Sequence, residues 1–194
     1  MFRQGGSFMI STNDLKNGMA INYEDSLFEV IYFQHVKPGK GGAFVRTKLK
    51  NLITGANIEK TFRAGEKIEQ AILETKKMQF LYKDEHYNFM DSESFEQIVI
   101  SEGNIGDKKK FLLENLEVTI VFYRDSPISI DLPLAIESRV LKAEPGVKGD
   151  TVSNTFKPAE IETGAKIQVP LFINEGDIIK IDTRSGEYIT RVSK

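Results

Sequence analysis

The chain has 194 residues, 40% of them hydrophobic and 28% charged, with two histidines and no cysteine. This ordinary globular balance argues against disorder, and the missing cysteines remove disulfides, thiolate nucleophiles and thiolate metal sites. The histidines, His35 and His86, are too few for a His-built metal site. No apolar run approaches the roughly 20 residues of a membrane-spanning helix, and the N-terminus lacks the apolar core of a secretion signal. A cytoplasmic protein with no membrane partner is expected.

The net charge of −2 hides an uneven distribution. From Gln34 to Arg63, seven basic residues (Lys37, Lys40, Arg46, Lys48, Lys50, Lys60 and Arg63) stand against one acid, Glu59. From Leu73 to Ala135 the count is seven basic to twelve acidic, and from Ile136 to the end nine to nine. A charge run is ordinarily a solvated face, but the imbalance in the first stretch points to salt-dependent phosphate contact.

In chain order the pattern is β throughout: short Val-, Ile-, Phe- and Tyr-rich runs, broken by turn residues about every 8 to 12 positions as in small barrels. Residues 1–8 contain a Gly-Gly-Ser and precede a second methionine, Met9; they are set apart as an N-terminal extension or expression remnant. Strands are expected over Leu27–Phe33, Ala43–Lys50 and Ile58–Phe62, with turns at Thr54-Gly55 and Ala64-Gly65. In the second of these, period-two alternation puts Phe44, Arg46, Lys48 and Lys50 on one face and Ala43, Val45, Thr47 and Leu49 on the other. A second set follows: Met78–Tyr82, Tyr87–Met90, Gln97–Ile100 and Glu117–Tyr123. A helix is predicted over Asp107–Leu116, capped by Asp107. It would place Lys108, Lys109 and Lys110 in its first turn, where cations oppose the dipole. A third set comprises Glu137–Lys142, Ala165–Pro170, Ile178–Asp182 and Tyr188–Val192, with Pro145–Gly149 as a turn-rich loop. Three domains of about 60 residues are expected, each near the lower limit of a self-sufficient core: 9–72, 73–135 and 136–194.

The informative segment is His35-Val-Lys-Pro-Gly-Lys-Gly-Gly42. Pro38 fixes φ, Gly39 is read as the residue that tolerates positive φ in a tight turn, and Gly41 and Gly42 release the chain beyond it. Lys40 is thereby presented at a hairpin apex, framed by residues without side chains. The plainer reading is a turn with a solvated lysine. The functional one is a slim probe able to enter a narrow site or a modifying enzyme. A phosphate-binding loop would need four residues between its first Gly and a Gly-Lys-Ser/Thr, then a helix, and neither is here. A Schiff-base or general-base lysine would be buried. His86 beside Asp84-Glu85 reads as a surface turn, and no nucleophile–base–orienter set is found.

Asp14-Leu-Lys-Asn-Gly18, Phe33–Gly41, Arg46-Thr-Lys-Leu-Lys-Asn-Leu52 and Thr61-Phe-Arg-Ala-Gly-Glu66 resemble the first domain of the bacterial elongation factor P family. Pro145-Gly-Val-Lys-Gly-Asp-Thr151, Val169–Ile173, Glu175–Asp177, Ile181–Thr183 and Gly186–Arg191 extend the resemblance, which covers Met9 to Lys194. It implies an all-β chain of three small β-barrel domains, an SH3-like KOW-type domain (9–72), a central OB-type domain (73–135) and a C-terminal OB-type domain (136–194), arranged in an L shape. It implies a non-enzymatic translation factor, without cofactor, that binds the ribosome between the peptidyl and exit tRNA sites and assists peptide bond formation at consecutive prolines.

The partners so implied are rRNA and ribosomal proteins, peptidyl-tRNA and the mRNA in the exit site, met by a monomer. Lys40 falls at the family's modified position, directed toward the peptidyl transferase centre. A lysine-modifying enzyme is thus a further expected partner, with modification itself left open. Gly149, Asp150 and Thr151 match the loop associated with the exit-site codon, and Tyr188 and Arg191 match a motif linked to ribosome contact. The RNA-binding flank is assigned to Lys37, Arg46, Lys48, Lys50 and Arg63. The alternative is an RNA-binding OB protein acting off the ribosome, which would need Phe80, Tyr82, Tyr87 and Phe89 as stacking platforms. An enzyme, such as a hydrolase, has no catalytic set behind it.

Overall fold

The computed structural model describes residues 7–144 and 156–193. These residues form three antiparallel sheets with little helix. The first comprises β1 (Ser7–Ser11), β2 (Ala20–Tyr23), β3 (Ser26–Val36), β4 (Phe44–Asn51), β5 (Asn57–Arg63) and β6 (Lys67–Ala71), in the spatial order β1-β6-β2-β3-β4-β5. The second comprises β7 (Leu73–Lys83), β8 (Tyr87–Asp91), β9 (Gln97–Ile100), β10 (Glu117–Tyr123) and β11 (Ser126–Asp131), in the order β11-β10-β7-β8-β9. The third comprises β12 (Ala135–Ala143), β13 (Phe156–Ile161), β14 (Lys166–Pro170), β15 (Ile178–Asp182) and β16 (Tyr188–Ser193), in the order β14-β13-β12-β15-β16.

By compactness the chain divides into two units, residues 1–76 with 120–129, and 77–119 with 130–194. In the first, Ile21, Phe28, Val30, Val45, Leu49 and Phe62 form the sheet's core. A second cluster joins Ala20, Leu27 and Ala71 to Val121 and Ile128 near the β10–β11 turn. Glu69 fastens the same region, accepting from Asn22 Nδ2 at 2.9 Å and pairing with Arg124 at 3.0 Å. In the second unit, Phe111 joins Ile136, Val140, Ile161, Val169, Ile179 and Ile181.

Several expectations are corrected. β1 begins at Ser7 and pairs along β6, Ser7 opposite Ala71 and Phe8 opposite Gln70, so the strand starts inside the segment set apart as an extension. No α-helix covers Asp107–Leu116. A four-residue α1 (Glu102–Ile105) ends at Gly106, whose φ of +60° stops it, and a 3-10 segment follows over Gly106–Phe111. Asp107 is therefore no N-cap, and the three lysines lie in the last turn of that segment, each paired with an acid. Lys108 pairs with Asp131 and Lys110 with Asp107, both at 2.9 Å, and Lys109 pairs with Glu102. They are structural ion pairs. Five strands go unpredicted: β1, β2, β6, β11 and β13.

Candidate functional site

β3 and β4 form a long hairpin, paired from Phe28 opposite Asn51 to Val36 opposite Phe44, and the loop between them is residues 37–43. Lys37 to Gly42 are all exposed, Lys40 among them. The positive φ of this loop belongs to Gly41, at +112°, rather than to Gly39 as predicted. A Cβ on Gly41 would reach Pro38 Cγ at 3.8 Å, and on Gly39 or Gly42 it would meet nothing within 4 Å. The glycines thus leave open space around Lys40, and Gly41 alone also needs the left-handed backbone.

Below the loop, β4 alternates as predicted: Val45, Thr47 and Leu49 are buried, while Arg46, Lys48 and Lys50 face outward. The buried Thr47 hydroxyl is satisfied, donating to the Lys60 carbonyl at 2.9 Å. Cross-strand pairing sets Arg63 beside Phe44, Thr61 beside Arg46, Glu59 beside Lys48 and Asn57 beside Lys50. The structure therefore brings Arg46, Lys48, Lys50 and Arg63 onto one face. Their freedom differs. Lys48 pairs with Glu59 at 3.2 Å, and the Arg46 guanidinium lies 5.5 Å from the Phe44 ring centre. Lys60, counted with the basic run, projects to the other side. Its ammonium lies over Tyr23, and the hydrogen bond to that tyrosine, with Glu24 nearby, raises its pKa.

The face holds one residue that alternation missed. Phe28 and Val30 are buried, so strict period two would bury Tyr32 as well. A β-bulge between Val30 and Tyr32 turns its ring outward, opposite Lys48, leaving it 44% exposed. No signal in the sequence announces the bulge.

The C-terminal residues separate. Tyr188 is half-buried against the core of the third sheet. Arg191 lies over the Phe172 ring at 5.5 Å and 3.7 Å from the carboxylate of buried Asp177, which also accepts the Asn174 N–H at 2.9 Å. Gly149, Asp150 and Thr151 lie outside the described residues. The stacking platform needed by the off-ribosome alternative does not form. Phe80, Tyr87 and Phe89 are 4%, 4% and 0% exposed and make core, leaving Tyr82 alone outside. His86 is exposed in a turn, its N–H donating to Asp84 Oδ1 at 2.8 Å. Among the described residues no cluster of His, Asp and Glu could hold a metal ion, and no helix is long and apolar enough to cross a membrane.

Comparison with known proteins decides the family. The elongation factor P from Symbiobacterium thermophilum is 55% identical over 184 residues, spanning 94% of this chain and all of that protein. The chain belongs to the elongation factor P family. That from Natranaerobius thermophilus is also 55% identical, over 95% of this chain and 98% of its own length. Three family models match in succession: the elongation factor P KOW-like domain over residues 11–68, its OB domain over 73–130 and its C-terminal domain over 136–191. Among solved structures, a eukaryotic translation initiation factor 5A from Methanococcus jannaschii aligns with a TM-score of 0.52 at 20% identity, covering 67% of this chain and 98% of its own. An initiation factor 5A family protein from Naegleria fowleri gives 0.54 at 15% identity, covering 65% and 99%. These two likenesses concern the fold. The chain is accordingly an all-β translation factor and not an enzyme.

Proposed function

We propose that this elongation factor P binds the ribosome between the peptidyl and exit tRNA sites and promotes peptide bond formation at consecutive prolines. The observation that carries this reading is the exposed, glycine-framed Lys40 at the end of a hairpin whose outer face gathers Arg46, Lys48, Lys50 and Arg63. A proline nitrogen is locked in a ring with fixed φ, so successive prolines align poorly for reaction. A factor that orients the peptidyl-tRNA end removes part of the entropic barrier without bond chemistry of its own. Lys40 reaches toward the peptidyl transferase centre, and Lys37 and the cations behind it hold RNA phosphates.

In this reading a lysine-modifying enzyme can lengthen Lys40, for which the open loop offers room. Gly149, Asp150 and Thr151 serve at the mRNA codon in the exit site. Tyr188 and Arg191 belong to the ribosome-facing surface, Arg191 bracing it through Asp177 and Phe172.

The test is purified translation of a reporter with three consecutive prolines, with no factor, with this protein and with its Lys40→Ala variant. Relief of the stall by the protein and not by the variant is the expected result. Equal relief by both would remove Lys40 from the mechanism. Should the protein itself be inactive, an intact mass showing Lys40 already modified would count against the whole reading.

A further inference from the structure

The outer face of β3, β4 and β5 carries an aromatic ring as well as charge. We propose that Tyr32 is a base-stacking residue: its ring receives an unpaired RNA nucleobase while Arg46, Lys50 and Arg63 hold the neighbouring phosphates. The proposal rests on the reading of this face as an RNA contact and adds a site for the base.

Tyr32 is aimed outward by a backbone irregularity. The bulge at Ile31 breaks the alternation that would have buried the ring, and bulges are one way a strand re-aims a side chain at a functional surface. The ring is also bare. Tyr23 is covered by Lys60 and packed on Phe28 and Phe62; Tyr87 is covered by Lys83, and Tyr123 by Arg124. Among the described residues Tyr32 has no such neighbour, so its π-face is available.

Its surroundings are cationic. Lys48 stands directly opposite and Arg46 one outward row nearer the loop, while Lys50 lies one row further off, with Glu29 as its cross-strand neighbour. Two acids, Glu29 and Glu59, share the face, and Glu59 is already engaged by Lys48. Tyr82 is equally exposed, at 47%, but stands opposite Asn88 in the acidic middle of the chain. Charge therefore selects Tyr32. A bare aromatic among cations is the composition of a single-strand RNA platform, where the ring takes a base and the cations track the backbone. The ring lies on the same hairpin as Lys40, four residues before the end of β3, roughly 13 Å along the strand.

The test is co-sedimentation with ribosomes stalled at three prolines, across factor concentrations, with and without peptidyl-tRNA. Tyr32→Phe and Tyr32→Trp keep a π-face and should bind as the parent does. Tyr32→Thr keeps strand propensity without a ring, and Tyr32→Leu keeps apolar bulk without one. Both should bind roughly tenfold more weakly. Loss that needs peptidyl-tRNA places the base in tRNA, and loss without it places the base in rRNA. Parent-like binding by Tyr32→Leu with weak binding by Tyr32→Thr would overturn the proposal in favour of apolar contact with protein. If Leu and Thr both bind normally while Lys50→Glu and Arg63→Glu bind weakly, stacking falls and the RNA face stands. If all four bind normally, both fall. Should Tyr32→Thr lower the melting midpoint, the comparison of Leu with Phe decides.

Discussion

Among the described residues Lys40 has no partner to lose. It sits in an exposed loop clear of every core cluster, so truncation should leave the unfolding free energy within about 0.5 kcal/mol of the parent while abolishing relief at prolines. Asp182 is the opposite case, a residue whose work is internal. Its Oδ2 accepts from Arg184 Nη2 at 2.7 Å and its Oδ1 from the Arg184 N–H at 2.8 Å. The Arg184 side chain, and behind it the backbone N–H groups of Arg184 and Ser185, hold the carboxyl well below the usual carboxylate range. A group with a depressed folded pKa contributes stability that is full above its unfolded value of about 3.9 and is lost as pH falls toward the folded value. Arg184→Ala should therefore lower stability at neutral pH, where that contribution is complete, and shift acid unfolding to higher pH. Acid titrations of both proteins by circular dichroism check this, and an unmoved acid midpoint would refute it.

At the scale of elements, one turn tests how tightly the 3-10 segment is held. Gly186 has a φ of +73°, and a Cβ there would lie 3.2 Å from Phe111 Cζ in the core. Gly164 has a φ of +81° with open space beyond it. Both alanine variants incur left-handed strain of about 1–3 kcal/mol, but Gly186→Ala must also displace Phe111. It should be the less stable of the two in urea, and the reverse order would show that the ring yields freely. Elements were legible where alternation and burial agreed. β4 follows its pattern residue by residue, and with it came the basic face. β13 inverts its polarity, with Phe156 outward, Lys157 buried and Pro158 outward after it, so no pattern betrays it. The predicted helix failed because Phe111 and Leu112 are buried through a 3-10 turn, whose tighter winding also presents apolar residues close together. Tyr32 was hidden by a bulge, which changes the face of a residue without changing the sequence period.

At the scale of the molecule, a net charge of −2 coexists with a face that gathers Arg46, Lys48, Lys50 and Arg63. The two are compatible because phosphate affinity depends on local cations and released counterions, whereas the average charge sets indiscriminate sticking to nucleic acid. The cations of the face are unequal, and this allows a phosphate-binding array to be told from a solvated one by experiment. Lys48 already has Glu59 at 3.2 Å, whereas no ion pair forms at Lys50 or Arg63 among the described residues. Each phosphate contact removed should flatten the dependence of log affinity on log salt by roughly one. Lys50→Ala and Arg63→Ala should each do so, and Lys48→Ala should flatten it less, since Glu59 already partly neutralises Lys48. Ribosome binding at several ionic strengths reads this directly. Equal slopes for all three variants and the parent would mean that the basic face is solvated, and that the hairpin is held on the ribosome by contacts elsewhere.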